Sequence, residues 1–422
     1  MSNIKELITR GSNSIFRRVS IKRLQLNNQY EPDWGDITSY VIKFGTIRSS
    51  YNDITFLGNT NVTGATLKLD NSRGQFNDEN TITSLFNGFK TRYRTKFKIE
   101  VGYIDDDQNE VEGLVFYGIL YGDPTTNDNG TINIKLSSLL KVFSNYAAEG
   151  IATGAGTTEE LVDRLVKKTQ GGVRIFDNFF EGATDADKYK INPRGITGLL
   201  NINNPEIEDD ASVFDKLKDY SLIDNFYFGV DNLGAFVWDE KVEKNVISWY
   251  FNGSGLNDND YGVNIVSVPK LIQGLNNTWG RVAIEYGNGT AVSAASWTPN
   301  DGSPQDLYGE RTFNYTLKEL SVSEASDMAL KIRQIYQNPK REYTINTTFI
   351  PHLDLNDWVK INYLGEPTAG EQIIIGEFVI GDTSIPIGGT QGSINIRNQD
   401  AKIIGITLNL DNLTSQFVLR EF

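Results

Sequence analysis

Cysteine is absent from the 422-residue chain, and histidine occurs once, at position 352. Without cysteine there is no disulfide framework and no thiolate metal site. With one imidazole, a Ser–His–Asp triad would have to use His352. That residue stands in "FIPHLDLND", behind Pro351 in a turn, and no Gly-x-Ser-x-Gly elbow accompanies it, so a catalytic role is disfavoured. Walker and dinucleotide-binding loops are also missing. Long apolar runs are lacking too. "GLVFYGILYG" (Gly113 to Gly122) is strand-sized and far too short to cross a bilayer. The first residues, "MSNIKELITRGSNSIFRRVS", lack the apolar core of a signal peptide, which predicts a chain made in a cytoplasm and kept soluble.

Positive charge is in deficit. Lys and Arg number 40 against 54 Asp and Glu, a formal net charge of -14. A phosphate backbone would be repelled, so stable nucleic-acid binding is not expected. An acidic wall past which DNA slides remains compatible with that charge. The carboxylate-rich "DDDQNEVE" (Asp105 to Glu112) lacks the spacing and central Gly of a calcium loop, and "DNDYG" (Asp258 to Gly262) lacks the terminal Glu. Both read as hairpin tips. No metal and no cofactor are expected.

With 39% hydrophobic and 22% charged residues, the chain is globular and long enough for several domains. Residues 15–145 read mostly as strands with Gly/Asx turns, a barrel or sandwich pattern. "GATLKLDNSRGQFNDEN" (Gly64 to Asn80) alternates, with Ala65, Leu67 and Leu69 on one face and Thr66, Lys68 and Asp70 on the other. A turn cluster follows, closed by Phe76. After the Gly-rich stretch Gly150 to Gly156, which reads as a linker, Thr157 and Glu160 form a capping box for a helix. A second helix begins near Ser212 and leads into a hairpin turning at Asp231 to Gly234. A third carries Ala325, Met328, Ala329, Ile332, Ile335 and Tyr336 at helical spacing and stops before Pro339. Strands then resume to the end. The fold class expected is mainly β with an α+β insert. Three domains are expected: 1–149 and 276–422 as tube-like β-barrels, the second with one flanking helix, and 150–275 as the smaller mixed domain between them.

One basic feature stands out. In "KTRYRTKFK", Lys90, Arg92, Arg94, Lys96 and Lys98 share one strand face. The plain reading is a solvated face. The functional reading is docking to an acidic neighbour, and an acidic chain's own second copy would serve.

Asp36 to Asn80 resembles the N-terminal domain of tail hub proteins of tailed bacteriophages and gene transfer agents. Asp36, Thr38 and Val41 match that family's leading segment. Asn71, Gly74 and Phe76 match its structural turn, with Arg73 where the family usually has Asp. "ASVFDKLKDYSLIDNFYFGVDNLGAFVW", "TWGRVAIEYG", "MALKIRQIYQNPKREYTINTTFIPHLDLNDWVKINY" and "IIGITLNLDNLTSQFVLRE" are similar to later stretches of the family, in the same order. Glu366 to Gln399 is longer than the family's usual link. The resemblance implies two tube-like barrels per chain and a homotrimer. Three chains would form a pseudo-sixfold ring at the distal end of a virion tail, lining the DNA-ejection channel. It implies the tail tube or distal tail protein, tail-tip, spike or fibre proteins, and a tape-measure protein as partners, in a virion assembled in a host bacterium. An inner wall bearing acids such as Asp105, Asp106 and Asp107 is expected. Two other readings stay open. One is a carbohydrate- or receptor-binding tail-tip protein using Trp34, Trp249 or Trp297 for sugar stacking. The other is a cell-wall-degrading tail enzyme, disfavoured because the second barrel is expected to run to Phe422.

Overall fold

The computed structural model describes residues 4–10, 14–24, 30–51, 61–77, 95–127, 129–148, 154–170, 172–202, 211–240, 246–253, 261–272, 278–287, 289–294, 302, 304–364 and 395–421. Alternating sequence builds the first lobe. After a short helix, α1 (Ile4–Arg10), come β1 (Ile15–Lys22), β2 (Thr46–Tyr51), β3 (Asn61–Asp70), β4 (Lys96–Ile104), β5 (Glu110–Leu120) and β6 (Thr131–Ser138). They pair antiparallel in the order β1-β4-β5-β6-β3-β2. On β3 the alternation holds, since Ala65, Leu67 and Leu69 are buried while Thr66 is exposed. They meet Phe97, Ile99, Val101, Ile132 and Ile134 in the core. Each such side chain contributes about 1.5–3 kcal/mol by leaving water.

The mixed insert follows. Its longer helices are α2 (Thr158–Val166) and α3 (Val213–Asp224). Thr157 with Glu160 and Ser212 with Asp215 form capping boxes that satisfy the free N–H groups at each start. α3 ends at Asn225, whose left-handed φ of 59° suits a C-cap. A hairpin of β7 (Phe226–Val230) and β8 (Phe236–Glu240) turns at Asp231, whose carboxylate accepts from the Leu233 and Ala235 amides at 2.9 Å. Phe143, Phe176, Phe180, Phe226, Phe228, Phe236 and Trp238 make this core aromatic.

The chain then returns to the large sheet. β9 (Ile247–Asn252) and β10 (Lys270–Ile272) were expected in the domain 150–275, yet both pair with C-terminal strands. A separate unit comes next. β11 (Arg281–Tyr286) and β12 (Gly289–Ala294) form a hairpin, β13 (Thr312–Thr316) lies parallel to β11, and α4 (Val322–Tyr336) covers them. Val282, Ile284, Ala325, Ala329, Ile332 and Tyr336 form its own core. This unit falls within the expected third domain, and its core is distinct from that of the C-terminal β lobe.

That lobe consists of β14 (Glu342–Thr348), β15 (Trp358–Leu364), β16 (Asn395–Asn409) and β17 (Thr414–Arg420) with β9 and β10. The long strand β16 pairs with β17 and β15 and also with β2 of the first lobe, from Thr46↔Asn409 to Ser50↔Gly405. The two lobes share one 15-stranded sheet and one apolar core. The fold is mainly β with a mixed insert, as expected.

Candidate functional site

The turn after β3 is held by its own side chains. Asn71 Oδ1 accepts from the Phe76 amide at 2.9 Å, and Asn71 Nδ2 donates to Asn77 Oδ1 at 3.0 Å. Its amide donates to the Gly130 carbonyl at 2.8 Å, tying the turn to the loop before β6. Gly74 adopts φ +67°, and a Cβ there would stand 3.0 Å from Asn77 Nδ2. Phe76 is fully buried, edge-on to Tyr40 at 5.5 Å. Asn71, Gly74 and Phe76 therefore form one local structural unit.

Of the basic strand face, Lys90, Arg92 and Arg94 lie outside the described residues. Lys96 is a correction, since it is 2% exposed. Its ammonium donates to the carbonyls of Asn178 (3.0 Å) and Phe179 (3.3 Å) and to the Glu181 carboxylate. Lys22 reaches the other Glu181 oxygen at 3.2 Å. Burial pulls the Lys96 pKa down to about 8 against the pull of Glu181. Burial opposes the Glu181 charge, but Lys96 and Lys22 outweigh it and hold its pKa low. Lys96 thus fastens the insert to the first lobe of its own chain. Lys98 is half-buried, pairs with Glu100 at 3.1 Å, and lies 5.7 Å over the Trp34 ring. No sequence signal marked Glu181 as the partner of Lys96.

The remaining candidates divide in the same way. Trp34 is half-buried between Lys22, Lys98 and Tyr117. Trp249 is 0% exposed, which removes it as a sugar-stacking platform. Trp297 lies outside the described residues. His352 packs edge-on to Trp249 at 5.1 Å, and neither ring nitrogen has a hydrogen-bond partner. Burial, with the Lys5 charge adding, drops its pKa to about 4, so it is neutral at pH 7. Asp105 is buried and accepts from the Asp107 (3.0 Å) and Asn109 (2.8 Å) amides, so it shapes the β4–β5 hairpin tip. Asp106 and Asp107 are exposed there. Among the described residues no group of acids or His is arranged to hold a metal ion, and no helix is long and apolar enough to cross a membrane. Of Glu366 to Gln399, only 395–399 are described, as the start of β16.

What the fold brings together is the junction of the lobes. Ile47 and Leu408 face one another across it, each 2% exposed. On the opposite face, Asn346, Gln416, Thr407 and Arg48 are aligned by register across four strands. Gln416 Nε2 donates to Asn346 Oδ1 at 2.9 Å, and Asn346 Nδ2 to Ser267 Oγ at 2.9 Å. Thr66 and Lys135 extend the exposed face on β3 and β6. The result is a broad sheet surface of amides, hydroxyls and sparse cations, built from both lobes.

No protein-family profile matches the chain, and no curated protein matches it. Solved structures do. The prophage tail protein gp18 from Listeria monocytogenes EGD-e is 9% identical, with a TM-score of 0.50 over 96% of this chain and 94% of that one. The tail protein from Neisseria meningitidis MC58 is 11% identical, with a TM-score of 0.51 over 96% of each chain. At such identities the likeness is one of fold. The chain has the fold of these phage tail proteins, the fold anticipated from its resemblance to tail hubs.

Proposed function

We propose that the chain is a structural hub at the distal end of a phage tail. Three copies form a pseudo-sixfold ring that joins a hexameric tail tube to a threefold tip and lines the ejection channel. The observation that carries this reading is the junction of β2 with β16. It sets two β lobes edge to edge within one chain, so three chains supply six lobes. The exposed sheet face spanning both lobes is the surface suited to a channel wall. Its amides and hydroxyls hydrogen-bond to one another, and its cations are sparse, which limits counterion release on contact with DNA. The wall in this reading is polar rather than acidic. The chain acts without catalysis or cofactor. Its partners are the tube or distal tail protein above, and spike or fibre proteins below. A tape-measure protein fills the channel before ejection. It is made in the host cytoplasm and ends in the virion. Native mass measurement with electron microscopy of the purified full chain tests this. The expected result is three copies in a ring of six lobes around an open channel. A persistent monomer, or a ring of another count, would refute it.

A further inference from the structure

The insert and the β11–β13/α4 unit meet at a buried ionic cluster that the hub reading does not use. On α3, Lys216, Asp219 and Tyr220 sit three and four residues apart and share one face. Opposite them stand Tyr315 on β13 and Glu319 in the segment leading to α4. Lys216 Nζ donates to Glu319 Oε1 at 2.6 Å and reaches Asp219 Oδ2 at 3.5 Å. The Tyr315 hydroxyl donates to Asp219 Oδ1 at 3.4 Å. The side chains of Lys216, Asp219 and Glu319 are only 8%, 18% and 1% exposed. The Tyr220 hydroxyl is buried beside the two carboxylates with no hydrogen-bond partner, and the Arg164 charge on α2 also acts on it. Lys218 lies 6.0 Å over the Tyr315 ring. Leu222, Leu317 and Leu320 complete the contact.

Two carboxylates thus share one ammonium in a place shielded from water. Fully ionised, the trio is one negative charge in excess, and a proton on Asp219 makes it neutral. An uncompensated buried charge is costly. We propose that this cluster is a proton-operated joint: with Asp219 protonated the β11–β13/α4 unit is held on α3, and loss of that proton loosens it. Burial pushes the Asp219 carboxyl up to about 7, with Glu319 adding to the rise and Lys216 opposing it. Desolvation works against the Lys216 charge, but Glu319 and Asp219 outweigh it and keep its pKa raised, so Lys216 stays an ammonium. When the joint opens, Asp219 returns to an ordinary value of about 3.9. Between these values the closed joint holds a proton that the open one lacks. Closure is therefore strongest in acid, weakens as pH rises through that window, and levels off above neutrality. Asp224, also on α3, is bonded to Thr158 and to the Leu200 amide and stands outside the cluster.

This inference is independent of the hub reading. Hydrogen exchange of the full chain at pH 5.5 and 7.5, corrected for intrinsic rates, tests it. Protection in α4 and β11 should fall by roughly ten- to thirtyfold over that range, while the first lobe is unchanged. Asp219→Asn, isosteric and neutral, should keep high protection at both pH values. Glu319→Gln leaves a lone Lys216–Asp219 pair that is neutral when ionised, so it should also flatten the profile. Wild-type protection that is flat or rises with pH would overturn the proposal. So would a wild-type slope retained in Asp219→Asn or, should that variant not fold, in Glu319→Gln.

Discussion

The lone imidazole, His352, is kept neutral by its packing against Trp249. In the unfolded chain it takes an ordinary value near 6.5; in the fold, burial brings it to about 4. Between the two, the unfolded chain binds a proton that the folded one refuses. Stability is therefore full above about pH 6.5 and is lost as pH falls toward 4. The shift corresponds to about 3 kcal/mol. His352→Phe should remove this part of the acid limb, seen as a smaller difference between urea midpoints at pH 4.5 and 7. An unchanged difference would mean that the buried carboxylates alone set the acid limb. At this scale the sequence was readable only in part. It singled out His352 as the lone imidazole but gave no sign of its burial against Trp249. It also marked Lys96 as one of five alternating cations, and there it misled. A lysine's burial depends on a partner, and Glu181 is 85 residues away. Lys216 carried a usable signal, a charge set among Val213, Leu217 and Tyr220 on the buried face of α3.

Elements were legible where local chemistry specifies them. Capping boxes at Thr157, Ser212 and Ser321 fix the starts of α2, α3 and α4, and each is written within four residues of sequence. The turn after β3 was legible for the same reason, and it supports a prediction. Asn71→Ala removes the acceptor of the buried Phe76 amide and the bond to Asn77. The expected cost is about 1–3 kcal/mol, the penalty for a buried donor left unsatisfied. Ser72→Ala, an exposed neighbour in the same turn, should cost under about 0.5 kcal/mol. Chemical denaturation of both variants checks the difference, and equal midpoints would make the turn a passive connection. The partners of the strands were not legible. β9 is a strand by pattern wherever it pairs, and its partner β15 begins at Trp358, far along the chain. Alternation tells which side of a strand is buried, not which strand lies beside it.

The whole molecule depends on β16, which borders both lobes. Its Leu408 meets Ile47 of β2 within the junction, where both are buried. Elsewhere each lobe keeps its own pairings: β1, β4, β5, β6 and β3 in the first, β10, β14 and β17 in the second. A carboxylate at 408 would be buried without a partner, and the chain relieves that by opening the junction or ionising less readily. Leu408→Asp is therefore expected to separate the lobes while leaving the insert core and the β4–β5 pairing protected against hydrogen exchange. Leu408→Ala, which leaves a cavity but no charge, should cost about 2–5 kcal/mol and keep the junction closed. If adjacency of the two lobes is what lets three chains mimic six, Leu408→Asp should fail to form rings and Leu408→Ala should still form them. Mass measurement at matched concentration, with exchange protection of each lobe as the control for folding, separates the outcomes. Rings formed by Leu408→Asp with the junction open would show that neighbouring chains, not the β2–β16 pairing, set the spacing of the lobes.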